Sequence, residues 1–239
     1  MIYTQHYTTR WHDTDADRRV RPTQILVYMQ ETSNGHIAAM GTTLEELRDR
    51  EGLAFILSRI RIVFHKPLFA YEDIDVETWT VESRGFSSTR YFRVLRGGEV
   101  VAECESVWAL VGLNDKKLHR FDEIKFSWEH GEPITLDMPP RFRVPKTEEL
   151  ELFGTRRIVY SDLDYNMHMN NTRYADMLCD FLPIDLVGKV RGMTLTYLHE
   201  AHFGDEISVY GMRDGERYLF RTVGGEGQAC LEAEVLLDK

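Results

Sequence analysis

The sequence is poor in cysteine: Cys104, Cys179 and Cys230 are the three thiols in 239 residues, odd in number and far apart. That excludes a disulfide framework and fits a reducing compartment. Each thiol reads as a small buried hydrophobe before it reads as a nucleophile. Proline is also scarce, and four of the seven (Pro133, Pro139, Pro140, Pro145) crowd into one stretch. No run approaches the ~20 apolar residues of a membrane-spanning helix. Met1 to His12 lack the basic start and apolar run of a secretion signal, so a cytoplasmic protein is expected. Positive charge is in deficit, with 29 Lys and Arg against 39 Asp and Glu and a net charge of −10, which disfavours nucleic acid as a partner. There is neither a glycine-rich phosphate loop nor a zinc-like spacing of cysteines, so no cofactor and no metal are expected.

What is present is an ordinary globular composition, 43% apolar and 28% charged, written twice. Arg10-Trp11-His12-Asp13-Thr14-Asp15 resembles Val159-Tyr160-Ser161-Asp162-Leu163-Asp164 at an offset of 149. Ile60–Phe64 followed by Glu72-Asp73-Ile74 resembles Met193–Tyr197 followed by Asp205-Glu206-Ile207, at an offset of 133. Gly97-Gly98 and Gly224-Gly225 then mark a hairpin in each half, at an offset of 127. Three landmarks in the same order indicate a tandem repeat. The expected division is a first unit over 1–120, a proline-rich linker over 121–153 that cannot join a central strand, and a second unit over 154–239.

Each copy repeats the same elements. Pro22 suits a helix start, Leu26, Met29, Ile37 and Met40 mark one helical face, and Gly41 supplies a stop. In the second copy Asn170 or Asn171 is the expected N-cap, followed by the stripe Tyr174, Leu178, Phe181, Leu182 before Pro183. Strands follow with period two and one wet face: Ile60, Ile62 and Phe64 against Arg59, Arg61 and His65, and Ala229, Leu231, Ala233 and Val235 against Cys230, Glu232 and Glu234. A long helix followed by antiparallel strands, twice, predicts an α+β fold. With one curved sheet wrapping each helix, it is a tandem (double) hot-dog, its sheets expected to pair edge to edge as a homodimer's would.

The segment that carries chemistry reads Asp164-x-Asn166-x-His168, just before the second helix. In an extended stretch these three side chains would project to one side, close to the partial positive charge of the helix start. A carboxylate to attack or activate water and donors for an oxyanion are what thioester hydrolysis needs. With Asn170, Asn171 and Tyr174, this stretch resembles the signature of the plant and bacterial acyl-acyl carrier protein thioesterases, a family of fused double hot-dog enzymes. Thr194-Leu195-Thr196-Tyr197-Leu198-His199-Glu200 resembles the family's second motif. The resemblance implies hydrolysis of fatty acyl-acyl carrier protein, with Asp164, Asn166, His168 and Glu200 catalytic. Asp164 would attack the thioester or activate water, Asn166 and His168 would orient the reacting groups and stabilise the oxyanion, and Glu200 would help activate water. Plant members carry a cysteine after that glutamate; here it is Ala201, which leaves the work to carboxylates.

Aligning the copies sets Asp15, Asp17, Arg19 and Pro67 against Asp164, Asn166, His168 and Glu200, so the first unit is read as non-catalytic and pocket-shaping. A rival reading takes Asp15 as the acid of an acyl-coenzyme A thioesterase, and another a non-catalytic acyl-binding module. His199 and His202, if on a strand, would face opposite ways, against a metal site. The implied partner is an acyl carrier protein bearing a phosphopantetheine-linked acyl chain. It would dock on a basic patch such as Arg18, Arg19 and Arg21, or Lys116, Lys117, His119 and Arg120, or Arg141, Arg143 and Lys146. No membrane span and no nucleic acid are expected, and a homodimer of the fused chain is one arrangement this permits.

Overall fold

The computed structural model describes residues 2–83, 85–121 and 130–238. The chain divides into two compact units, Met1–Leu136 and Asp137–Lys239. In the first, strand β1 (Tyr3–Thr8) leads through a short helical turn at Trp11–Asp13 to helix α1 (Pro22–Ala39) and helix α2 (Leu44–Glu51). Strands β2 (Leu53–Phe64), β3 (Asp73–Thr80), β4 (Ser87–Arg96) and β5 (Glu99–Gly112) follow, with β6 (Leu118–His119) a short addition beside β5. All pairings are antiparallel, in the order β1-β3-β4-β5-β2. Helix α1 packs on β1 and β3, burying Ile25, Leu26, Met29 and Ile37. Pro22 at its first turn has no N–H to leave unpaired there, and Gly41, at φ 87°, takes the left-handed step that ends it.

The second unit repeats this plan with the same connectivity. Strand β7 (Glu151–Arg157), a helical turn at Tyr160–Asp162, helix α3 (Arg173–Asp180) and helix α4 (Ile184–Val187) precede strands β8 (Val190–Tyr197), β9 (Glu206–Arg213), β10 (Arg217–Val223) and β11 (Ala229–Leu237). Their antiparallel order is β7-β9-β10-β11-β8, the first unit's order element for element. The likeness extends to single hydrogen bonds. Val20 N–H donates to the Leu68 carbonyl at 2.8 Å, and Met169 N–H to the Ala201 carbonyl at 2.8 Å. Thr9 likewise donates to Glu72 as Ile158 does to Asp205. The twofold kinship read from the sequence is therefore present in the backbone, and the fold is the α+β tandem hot-dog.

Three expectations need adjustment. Helix α1 is long, at 18 residues, but α3 has only 8. Pro183 cannot donate to a continuing ladder and disfavours helical geometry at Leu182, so the chain breaks and restarts as α4. Part of the expected 121–153 linker, residues 122–129, lies outside the described residues; the four prolines join no strand, but Glu151 to Phe153 already belong to β7. Met138 and Val144, in the same stretch, are buried, and Arg191 donates to the Asp137 carbonyl at 3.4 Å, so this segment is packed onto the second unit. The wet faces are drier than alternation implied. Arg61 is buried beside Ile60, Ile62 and Val63, and pairs with Glu105 at 3.2 Å. Cys230 is buried too, and Glu234 is fully buried against Arg217 at 2.9 Å. A strand covered on both faces keeps its charges only by pairing them.

Candidate active site

The expected catalytic stretch is a tight turn, not an extended segment. Asp164 N–H donates to the His168 carbonyl at 2.9 Å, and Met167, at φ 65°, makes the left-handed step that closes the loop. The Asp164 carboxylate holds this turn from inside: Oδ1 accepts from the amides of Asn166 at 2.8 Å and His168 at 3.4 Å. Aspartate is suited to this because its short side chain can bond its own backbone two residues on. Asp15 does the same in the first copy, accepting from Asp17 at 2.9 Å and Arg19 at 3.0 Å, with Arg18 at φ 66°. An aspartate identical in both copies has a structural duty in both. Behind each turn a second, buried aspartate ties the preceding segment: Asp13 accepts from the Arg10 amide and from the Tyr28 hydroxyl, Asp162 from the Val159 amide and from Arg156.

The copies part where the chain leaves the turn. His168 and His202 face each other as an isolated antiparallel bridge, with ring centroids 4.6 Å apart and nearly perpendicular. His168 Nε2 lies 3.4 Å from Glu200 Oε2. In the first copy the corresponding bridge joins Arg19 to Phe69, with Pro67 in the glutamate's place. His202 is held in turn by Asp205, whose Oδ2 accepts the His202 amide at 2.8 Å and sits 3.7 Å from its ring Nδ1. The cluster is open to water: the Glu200 side chain is 56% exposed and that of His168 25%. Beneath it the Tyr174 ring is buried against Tyr197, whose hydroxyl donates to the Asn171 carbonyl at 2.8 Å. Burial first, with the nearby Glu200 and Asp205 carboxylates adding to it, holds the Tyr174 phenol well above its ordinary range, so it stays protonated.

Of the four residues expected to act, the structure brings the His168 and Glu200 side chains together, while Asp164 meets His168 through its backbone amide and Asn166 sits exposed at the turn. The helix cap also differs in detail. Helix α3 is preceded by Thr172, but Asn170 Oδ1 accepts both the Thr172 amide at 2.9 Å and its hydroxyl at 2.8 Å, so Asn170 satisfies the helix start from two residues upstream. Strand β8 ends at Tyr197, so His199 and His202 are not on a strand. His199 turns to the Ala229 carbonyl and His202 to His168. Sequence reasoning weighed His202 only against His199 and set that pair aside; the histidine it meets, His168, lies 34 positions away across the bridge. Two of the three thiols are poor nucleophiles: Cys104 and Cys230 are buried, and burial pushes both up. The Ala201 side chain is enclosed, at 1% exposure. An open recess of about 420 Å³ in the second unit, where Glu151 and Asp180 stand beside Leu152, Phe153, Phe181 and Tyr218, contains none of these site residues.

Comparison with known families decides the kinship. The acyl-ACP thioesterase N-terminal domain matches residues 1–125, and the acyl-ACP thioesterase C-terminal domain matches residues 146–234. The chain belongs to the acyl-ACP thioesterase family. Among curated relatives, a chloroplastic palmitoyl-acyl carrier protein thioesterase of Cuphea hookeriana is 22% identical over 84% of this chain and 52% of its own length. A dodecanoyl-[acyl-carrier-protein] hydrolase of Cinnamomum camphora is 21% identical over 99% of this chain and 64% of its own. The chain thus spans about half the length of the first of these plant relatives. An acyl-ACP thioesterase from Bacteroides thetaiotaomicron has the same fold, with a TM-score of 0.90 at 23% identity over 99% of this chain and 98% of that one. A 12:0-ACP thioesterase from Umbellularia californica superposes with a TM-score of 0.85 at 18% identity, over 99% and 97%. Among the described residues no helix is long and apolar enough to cross a membrane.

Proposed function

We propose that the chain hydrolyses the thioester of fatty acyl-acyl carrier protein, releasing a free fatty acid and the phosphopantetheine thiol. The observation that carries this reading is the His168–Glu200 pair at 3.4 Å, present in the second copy on a backbone that in the first holds Arg19 and Pro67. Family membership, and relatives named as hydrolases of acyl carrier protein thioesters, supply the substrate class. Glu200, aligned by His168, takes a proton from a water that attacks the carbonyl carbon. The tetrahedral oxyanion is met by the side-chain amide of Asn166 at the exposed turn. Collapse breaks the carbon–sulfur bond, and the proton passes to the departing thiolate. Asp164 holds the turn that sets both Asn166 and His168, a positioning role that its twin Asp15 shares without the chemistry. A carrier protein is acidic, and exposed Arg141, Arg143 and Lys146 offer it a basic edge.

The test is release of free thiol from acyl-acyl carrier protein by the full chain. Glu200→Gln and His168→Ala should each lower turnover by about 10²–10⁴-fold, as loss of acid–base assistance does. Melting temperatures should stay within a degree or two, because a pair this exposed adds little stability. Turnover that survives both substitutions would remove the pair from the mechanism. Matched acyl chains on coenzyme A should be slower substrates; the reverse preference would favour the coenzyme A reading. In heavy-oxygen water a single turnover should leave the Asp164 side chain unlabelled, whereas label there would show that it attacks directly.

A further inference from the structure

The same corner of the second unit holds more donors than hydrolysis requires. His168, Glu200 and His202 each present one ligand atom, and these atoms lie within 4.8 Å of one another. We propose that the three form a site for one divalent transition metal of the zinc class, and that a metal bound there stops turnover. Two imidazoles and a carboxylate suit zinc, and three protein ligands with one open position is a familiar zinc arrangement. Tetrahedral ligands at the ~2.0–2.1 Å of zinc bonds sit ~3.4 Å apart, and His168 Nε2 to Glu200 Oε2 is already 3.4 Å. His202 has only to swing its exposed ring, since its backbone is fixed opposite His168 by the bridge and by the bond from the Met169 amide to the Ala201 carbonyl. Asp205 stands 3.7 Å from His202 Nδ1, where a carboxylate orients a ligating imidazole and raises its basicity.

The first unit is a built-in comparison. Its backbone carries the same bridge and the same bond, but the three positions hold Arg19, Pro67 and Phe69, which offer no ligand. Binding of the metal needs only the three side chains, whereas the loss of turnover rests on the proposed function, because the metal would occupy the imidazole and carboxylate that activate water. The two are separable by experiment. The full chain, without a polyhistidine tag and stripped with chelator, is titrated with zinc chloride by calorimetry and with cobalt(II) chloride by visible absorption. One equivalent should bind, with the intense visible bands of low-coordinate cobalt. His202→Ala and Glu200→Gln should each weaken binding at least tenfold, and Asp205→Asn by about 10–100-fold as expected of an orienting carboxylate. His199→Ala, outside the cluster, should bind as the parent does, and circular dichroism checks that each variant is folded. No saturable binding, or binding unmoved by His202→Ala in a folded variant, would overturn the site. Turnover that rises or holds steady at saturating zinc would overturn the inhibition while leaving the site standing.

Discussion

The most quantitative expectation concerns acid, and it arises in the first unit. His36 lies on the buried face of α1, stacked on Tyr3 with ring centroids 5.4 Å apart, and its Nδ1 accepts a hydrogen bond from Arg90 Nη1 at 2.9 Å. Arg90 is itself enclosed, bonded to the Thr78 hydroxyl at 3.1 Å, and burial lowers its guanidinium to about 10. Burial first, and the Arg90 charge second, lower the His36 imidazole from 6.5 to about 4. Between those two values the unfolded chain binds a proton that the folded chain refuses. Stability from His36 is therefore fully present above pH 6.5 and is lost as pH falls towards 4. A shift of 2.5 units, 6.5 less 4, corresponds to ~3 kcal/mol in all, of which ~2 kcal/mol is gone by pH 5. The perturbation is His36→Gln, which keeps an acceptor for Arg90 but does not titrate. The assay is urea unfolding of parent and variant from pH 7 to pH 4.5. The other titrating groups, imidazoles and carboxylates alike, are shared by both proteins and cancel in the difference, so the parent should lose ~2 kcal/mol relative to the variant between pH 7 and pH 5. Parallel curves would show that the imidazole charges freely inside the fold, and would refute the account of a buried neutral histidine against a buried cation.

Asp15→Asn and Asp164→Asn should cost similar stability, ~1 kcal/mol or less by thermal denaturation, since each weakens the same two amide bonds. Only the second should slow thiol release; loss confined to Asp15→Asn would move the site to the first unit. Arg217→Met strips the partner from Glu234, fully buried in β11 with its other oxygen unpaired. Because Arg217 is about one-third exposed, the loss should fall below the ~3–5 kcal/mol of a fully enclosed pair but well above the ±0.5 kcal/mol of a surface change. A neutral result would mean that water reaches Glu234.

The repeat was legible because it survives in residues that the backbone needs. The Asp-x-Asp pairs at 13–15 and 162–164 fix one turn each, and the turn is copied bond for bond. Helix α1 was legible from Pro22 and its apolar stripe, although the stripe missed Thr32, Ser33 and His36, polar residues buried on the same face. Helix α2 went unread despite a plain signal: Thr43 and Glu46 form a capping box, each side chain accepting the other's amide at 3.1 and 3.2 Å. Strand period alone could not show how far the end of β2 and β11 are enclosed, because Arg61 and Glu234 keep a polar pattern while paired in the interior. In the site, the sequence offered residues but not the geometry that holds them. Asp-x-Asn-x-His looks extended on paper, but a left-handed Met167 folds it, and the contact between His168 and His202 depends on a bridge between segments 34 residues apart.

The division of labour between the copies can be tested by building the missing half. Everything that positions the cluster exists in the first unit: the Asp15 turn, the bridge from Arg19 to Phe69, the bond from the Val20 amide to the Leu68 carbonyl, and Glu72 accepting the Phe69 amide at 2.8 Å as Asp205 accepts that of His202. Only side chains differ. The triple variant Arg19→His, Pro67→Glu, Phe69→His should therefore take up a second equivalent of zinc where the parent takes one, with His202→Ala in the same background removing only the first. Phe69 is 41% exposed and Arg19 and Pro67 lie near the surface, so the substitutions leave the core intact and the protein should stay folded. If the folded triple variant still binds a single equivalent, backbone placement is insufficient, and something in the second unit beyond the bridge, the turn and the acidic partner must draw the three ligands together.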